Sequence, residues 1–212
     1  KKFATDFNCK YYKKYIDLLA NTDCDIIIVA VINKYAKDIV IFSLKTQRHV
    51  LIEKPMGINH KESLEMVKET KNQILKVGFN HRFHPAILKA KSLSDSGAIG
   101  ELLFIRAHYG HGGRPGMEKE WRSSKELCGG GELLDQGVHL IDLSRWFAGE
   151  IKSVFGKIRT KFWEIEVEDN VFMILKSKNN VDIQLHASWT NWKNTFQFEI
   201  FGSDGYLKIN GL

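Results

Sequence analysis

Solid apolar runs and helical stripes alternate along the first half of the chain. Residues 25–31 are apolar after the leading Asp25, and a helical pattern follows over about 34–45. His49–Ile52 is a second, shorter run, a further helical pattern spans about 60–72, and residues 74–79 complete a third strand. Strands this apolar, separated by helices, predict parallel βαβ units covered on both sides. Residues 3–21 read as one helical segment already under way. From Leu102 the period changes to two: residues 181–189 are apolar at every odd position and polar or small at every even one. Such alternation means a sheet buried on one face. Neighbouring strands are expected at 102–109, 154–162, 170–177, 196–201 and 206–209, with turns at 178–180 and 203–205 and a single long helix over about 132–147.

The fold class is therefore α/β. An incomplete, doubly wound Rossmann-type domain over residues 1–100 precedes an α+β domain over 101–212, whose open sheet is mostly antiparallel. Composition changes this picture little. The 212 residues carry 31 Lys+Arg against 25 Asp+Glu, a formal charge of +6, but acids and bases interleave, as in Lys68-Glu69-Thr70-Lys71. That is a solvated surface and not a nucleic-acid stripe. Three scattered cysteines exclude a disulfide framework and a Cys-x-x-Cys metal site. The run 26–32 is far short of the roughly 20 residues a bilayer crossing needs, and the Lys-rich start lacks a signal peptide's apolar stretch. A cytoplasmic location without a membrane partner is expected. The chain starts at Lys1 and stops just after a strand, and is expected to be a fragment.

Two regions carry candidate chemistry. In an open parallel sheet, ligands bind beyond the carboxyl ends of the strands. The three strands of the first half end in Asn33, in Glu53-Lys54-Pro55 and in Asn80-His81-Arg82, and Pro55 holds Lys54 extended at that rim. The second region is Cys128-Gly-Gly-Gly-Glu-Leu-Leu-Asp135-Gln-Gly-Val-His139-Leu-Ile-Asp142. Its glycines allow a backbone or a ligand to come close before a helix N-terminus with open N–H groups. Asp135 and His139 are four apart, about 40° around the helix, and share one face, with Asp142 near the same stripe. That carboxylate and imidazole form either a satisfied internal hydrogen bond or a working pair. As metal ligands they are too few, and the His81/His84 and His108/His111 pairs do not complete a zinc motif, so no metal is expected. Gly110-His-Gly-Gly-Arg-Pro-Gly116 lacks the ending of a P-loop and reads as a mobile cationic loop. Five tryptophans lie in the second half, and most of them read as core or sheet-packing residues.

The ordered set of residues 25–33, His-Val-Leu-Ile-Glu53-Lys54-Pro55, Val-Gly-Phe-Asn80-His-Arg82, Trp121-Arg122 and Gly-Gly-Gly-x-x-x-Asp135-x-Gly-x-His139-x-x-Asp142 resembles the glucose-fructose oxidoreductase and inositol dehydrogenase (Gfo/Idh/MocA) family. The resemblance implies an oxidoreductase using NAD or NADP, acting on a sugar, polyol or nucleotide sugar, and a homo-oligomer formed through the open sheet. It places Lys54 and His139 at catalytic positions with Asp135 beside them. Asn33, Glu53, Lys54, Asn80, Trp121 and Arg122 fall at cofactor-contacting positions. In this reading His139 is the general base and Lys54 stabilises the alkoxide. The family's usual Thr-Pro-Asn is Val31-Ile32-Asn33 here, and Ala36 stands where a His is frequent. No Gly-x-Gly-x-x-Gly occurs in the 212 residues, so the phosphate-binding half is expected before residue 1, the end of the second domain after residue 212, and cofactor binding by this stretch alone is expected to be feeble. Competing readings are a catalytically silent scaffold and, more distantly, a metal-dependent hydrolase.

Overall fold

The computed structural model describes residues 1–211, which separate into two compact units, Lys1–Gly78 and the remainder from Phe79. In the first, α1 (Lys2–Asp6) and α2 (Tyr15–Asn21) precede β1 (Ile26–Val29), α3 (Asn33–Lys45), β2 (His49–Ile52), α4 (His60–Glu69) and β3 (Leu75–Val77). The three strands are parallel in the order β1-β2-β3, with Val29 opposite Ile52 and Ile52 opposite Val77. Ala36, Val40 and Leu44 line one stripe of α3 and meet Val29, Val50, Ile52 and Met66 in a buried core.

Local chemistry sets the helix ends. The Asn59 side chain accepts from Glu62 N–H at 3.0 Å while Glu62 accepts from Ile58 N–H at 3.3 Å, a reciprocal cap that starts α4. That helix stops at Glu69, short of residue 72, because Thr70 turns extended. The single helix expected over residues 3–21 is instead two short ones. Asn8 takes a left-handed φ of 49°, which ends α1, and α1 buries no side chain to hold it longer. Cover lies on one face of this sheet among the described residues: Ile26 is 61% and Ile28 69% exposed on the other. Strands added in one direction by right-handed crossovers put α3 and α4 on the same side.

The second unit opens with a 3-10 turn, Asn80–Phe83, and α5 (Pro85–Asp95), then β4 (Leu102–Gly110). Helix α5 carries a start signal in Pro85 at its first turn but only a thin apolar stripe, with Ile87 and Ala90 its buried residues, so its period is weak in the sequence. Two more 3-10 turns, Met117–Lys119 and Trp121–Ser123, lead to α6 (Lys125–Cys128). A π-helical turn, Leu133–Gly137, runs directly into α7 (Val138–Ala148), so the expected long helix is a continuous but composite one. The strands β5 (Ile151–Arg159), β6 (Asn170–Ser177), β7 (Asp182–Ser188), β8 (Thr195–Gly202) and β9 (Tyr206–Asn210) complete a six-stranded sheet ordered β5-β6-β7-β4-β8-β9. Only the β4–β7 pair in it is parallel. Ile105, Ala107, Ile183, Leu185, Phe198 and Ile200 form its buried face beneath Leu140 and Leu143 of α7. Among the described residues no helix is long and apolar enough to cross a membrane.

Candidate active site

In the first unit, the register brings the β1 and β2 carboxyl ends level, and Glu53 N–H donates to Val29 O at 2.9 Å. Asn33 begins α3 at that edge and Glu53-Lys54 leaves β2 there, so Asn33, Glu53 and Lys54 share one rim as the sequence predicts. Lys54 is half-buried before a cis bond to Pro55, and its own N–H donates to Glu53 Oε2 at 3.2 Å. Gly78 matters here: a Cβ on it would sit 3.3 Å from Ile52 O and 3.5 Å from Glu53 Cα, so its bare backbone lets the end of β3 close on the end of β2.

In the second unit, His139 is only 3% exposed. Its ring stacks on His81 with centroids 3.8 Å apart and planes 13° from parallel, and Phe79 meets it edge-on at 6.1 Å. Tyr109 and Phe196 close the box, 5.4 and 5.9 Å from the His81 ring. The amide oxygen of Asn80 accepts from His81 Nδ1 at 2.9 Å, and because an amide oxygen only accepts, Nδ1 carries the proton. Asp135 is half-buried one turn before His139. Its charge reaches Tyr109, His111 and Cys128. Burial, helped by Asp135 and Glu132, pushes the Tyr109 phenol up; burial pulls His111 down, with Asp135 opposing and Arg114 assisting. His111 Nδ1 accepts from Gly113 N–H at 3.0 Å, which leaves its proton on Nε2. Beside the box, an open pocket of about 300 Å³ is lined by Tyr109, His111, Gln136, Asn194, Thr195 and Phe196 among others.

Asp142 and Arg82 form a two-pronged ion pair, 2.7 Å from Nε and 2.5 Å from Nη2, with Arg82 also lying 5.3 Å from the Trp146 ring centre. The carboxylate holds Arg82 above the usual guanidinium range, against the opposing effect of burial. Arg82 is thus not a free rim cation. It clamps the Asn80–Phe83 turn to α7, and with it the His81 ring to His139.

The two glycine-rich stretches serve close packing, which for residues 129–131 is the backbone alternative of the two the sequence left open. Gly131 admits a backbone and not a ligand: a Cβ there would fall 2.0 Å from Glu168 O. Glu168 Oε1 takes the N–H groups of Gly131 and Leu133 at 3.0 and 3.1 Å, filling the helix N-terminus that was expected to be open. In the 110–116 loop, Cβ atoms at Gly112 and Gly113 would strike Trp192 and the Trp163 ring, so these glycines serve packing. Arg114 is paired with Glu120 by two bonds of 2.8 and 2.6 Å, so the loop's cation is already engaged. Glu168 carries no local motif that marks it, being 37 residues from Gly131. Trp121 and Arg122 stack at 4.4 Å on their own turn, and Trp121 packs against a second core of Met117, Cys128, Val167 and Trp189. No group of three His, Cys, Asp or Glu able to hold a metal occurs among the described residues.

Residues 87–208 match the family described as the GFO/IDH/MocA C-terminal domain, and residues 1–81 match the oxidoreductase family with an NAD-binding Rossmann fold. The chain belongs to the Gfo/Idh/MocA oxidoreductase family. It is 27% identical to levoglucosan dehydrogenase of Pseudarthrobacter phenanthrenivorans over 99% of this chain and 60% of that protein. It is 29% identical to mouse trans-1,2-dihydrobenzene-1,2-diol dehydrogenase over 100% of this chain and 63% of that one. A levoglucosan dehydrogenase solved with NADH and levoglucosan superposes with a TM-score of 0.91 at 26% identity, covering 98% of this chain and 60% of the other. The chain therefore spans about 60% of the length of these relatives.

Proposed function

We propose that the protein is a nicotinamide-dependent oxidoreductase that moves a hydride between NAD or NADP and a secondary alcohol or ketone of a sugar or polyol. The observation that carries this reading is the buried His139 imidazole, boxed by aromatic rings next to a polar pocket. Asn33 and Glu53 offer amide and carboxylate groups at a parallel sheet's carboxyl rim, donors and acceptors that suit ribose hydroxyls and a carboxamide. Asn80, Trp121 and Arg122 are further candidate cofactor contacts by family likeness. The cofactor, when bound, supplies the hydride acceptor.

His139 takes the hydroxyl proton as general base, since an imidazole is poised near neutral pH. Asp135 orients that base or holds a substrate hydroxyl. Lys54 stabilises the alkoxide: a unit charge about 4 Å away at an effective dielectric near 20 is worth roughly 4 kcal/mol. That corresponds to two or three decades of rate at about 1.4 kcal/mol per decade. The pocket sets aromatic faces, Tyr109 and Phe196, against amide and hydroxyl groups of Gln136, Asn194 and Thr195, and these residues carry no fixed cation. With Arg114 held by Glu120, an uncharged polyol fits better than a phosphorylated or nucleotide-linked sugar. Levoglucosan is the substrate named for one relative and heads a panel of neutral and phosphorylated sugars for the intact protein, read by NADH formation. Activity confined to phosphorylated sugars overturns the substrate class, and near-normal turnover in both Lys54→Ala and His139→Ala overturns the mechanism.

The face of the six-stranded sheet turned away from α7 exposes Phe104, Phe155, Phe172, Ile174 and Tyr206. Six strands about 4.8 Å apart and roughly 24 Å long cover about 700 Å², near the ~800 Å² each partner contributes to a standard interface. A second copy of the chain is the proposed occupant, by this face. Light scattering of wild type and Phe172→Asp checks it; identical masses for both argue against the interface.

A further inference from the structure

We infer that His81 is a positioning residue for His139: a stacked imidazole plate that fixes the ring's orientation and sets how readily it takes a proton. The inference rests on His139 being the base of the proposed reaction, and it adds a residue that the family resemblance did not assign. The geometry is specific. The rings are 3.8 Å apart at 13°, closer and more nearly parallel than any other contact of either ring with Phe79, Tyr109 or Phe196. His81 is itself held at two points. Its Nδ1 donates to Asn80, and its chain neighbour Arg82 is bound to Asp142, which lies one helical turn beyond His139. The plate and the base are thus fixed to one another by the same clamp.

Two imidazoles in face contact do not titrate independently. Once one ring is charged, the other gains its proton against a like charge at van der Waals distance, so the pair shows two coupled steps instead of two ordinary histidines. Among the described contacts of these elements, the titratable and charged groups nearby are Asp135 and Asp142 on the composite helix, Arg82 on the Asn80–Phe83 turn, and Tyr109 on β4, with Glu132 and His111 behind Tyr109. Of the rings described against His139, namely those of His81, Phe79 and Tyr109, that of His81 alone can change charge near neutrality.

The test is an NMR titration of the His139 ring nitrogens in the intact, ¹⁵N-labelled protein, assigned with His139→Gln, so that no substrate is needed. In wild type, His139 is expected to follow a two-step curve. His81→Phe keeps a flat plate without a titrating charge and should give a single step, displaced upward by about half to one pH unit. His81→Arg keeps a flat, permanently charged plate and should displace the midpoint downward by a pH unit or more. The acid limb of kcat/KM should move in the same directions. One midpoint common to wild type, His81→Phe and His81→Arg overturns the inference. Failure of the underlying reading looks different: His139→Gln then turns over normally, while the His139 titration still follows the residue at position 81.

Discussion

Two pairs of facing histidines occur among the described residues, and their surroundings make them unlike. His81 and His139 stack inside an aromatic box built by the Asn80–Phe83 turn, α7, β4 and β8. His108 and His186 are partners in the parallel β4–β7 register on the open sheet face, where His186 stacks on Phe172 at 4.4 Å and its Nε2 meets Asn170 Oδ1 at 3.2 Å. The inner pair is held by an ion pair that no local pattern specifies. The outer pair is set by strand register, with Phe172 and Asn170 of the adjoining strand holding His186. Imidazole acquires a special role where side chains from distant parts of the chain fix its orientation, and not simply where two of them meet.

The largest expected effect separates the pairs by activity. In the intact protein His139→Ala should lower turnover by about 100-fold or more, the usual worth of a general base, whereas His108→Gln should leave it within about twofold; comparable losses in both would erase the distinction. The next tests the clamp. Arg82→Ala strands Asp142, which is 9% exposed, and should cost about 2–3 kcal/mol, read as a lower urea midpoint. Replacing both partners by Leu should cost less than the single change, because no buried charge is then left unpaired. An Arg82→Ala midpoint equal to wild type would deny the clamp.

The smallest effect concerns pH. Burial lowers the proton affinity of His186, with His108 adding to it; burial likewise lowers His108, with Lys208 and Arg106 adding and Glu199 opposing. A histidine whose pKa is lower in the folded state adds nothing to stability above the ordinary histidine range. As pH falls through that range, the unfolded chain takes up protons first, and stability declines. The melting temperature should therefore fall between about pH 7.5 and 5.5, and less in His108→Gln. An equal fall in that variant would show that the outer pair does not contribute.

Legibility in the sequence followed the range of the interaction. The parallel strands and the alternating strands are written within a few residues, and each is found close to where its period placed it, whereas the π-turn that carries Asp135 has no α-helical period to announce it. The Arg82–Asp142 pair joins residues 60 apart, so the sequence offered Arg82 only as a polar strand end. Gly129-Gly130-Gly131 shows why local motifs mislead: bare backbone before a helix looks the same whether a ligand or Glu168 fills the space. The packing of Gly112 and Gly113 is equally hidden from a local pattern, because their partners Trp192 and Trp163 lie far along the chain.

The lone parallel pairing in the larger sheet also constrains the order of folding. Strand β4, which carries Tyr109, runs between β7 and β8, and its Phe104 pairs with Asp182 and Phe201. No hairpin can form that arrangement from adjacent segments. During synthesis β4 leaves the ribosome well ahead of both neighbours, and long-range closures of this kind are slow. The central strand of the sheet therefore has neither edge paired in its final register until the chain from Asp182 onward has been made.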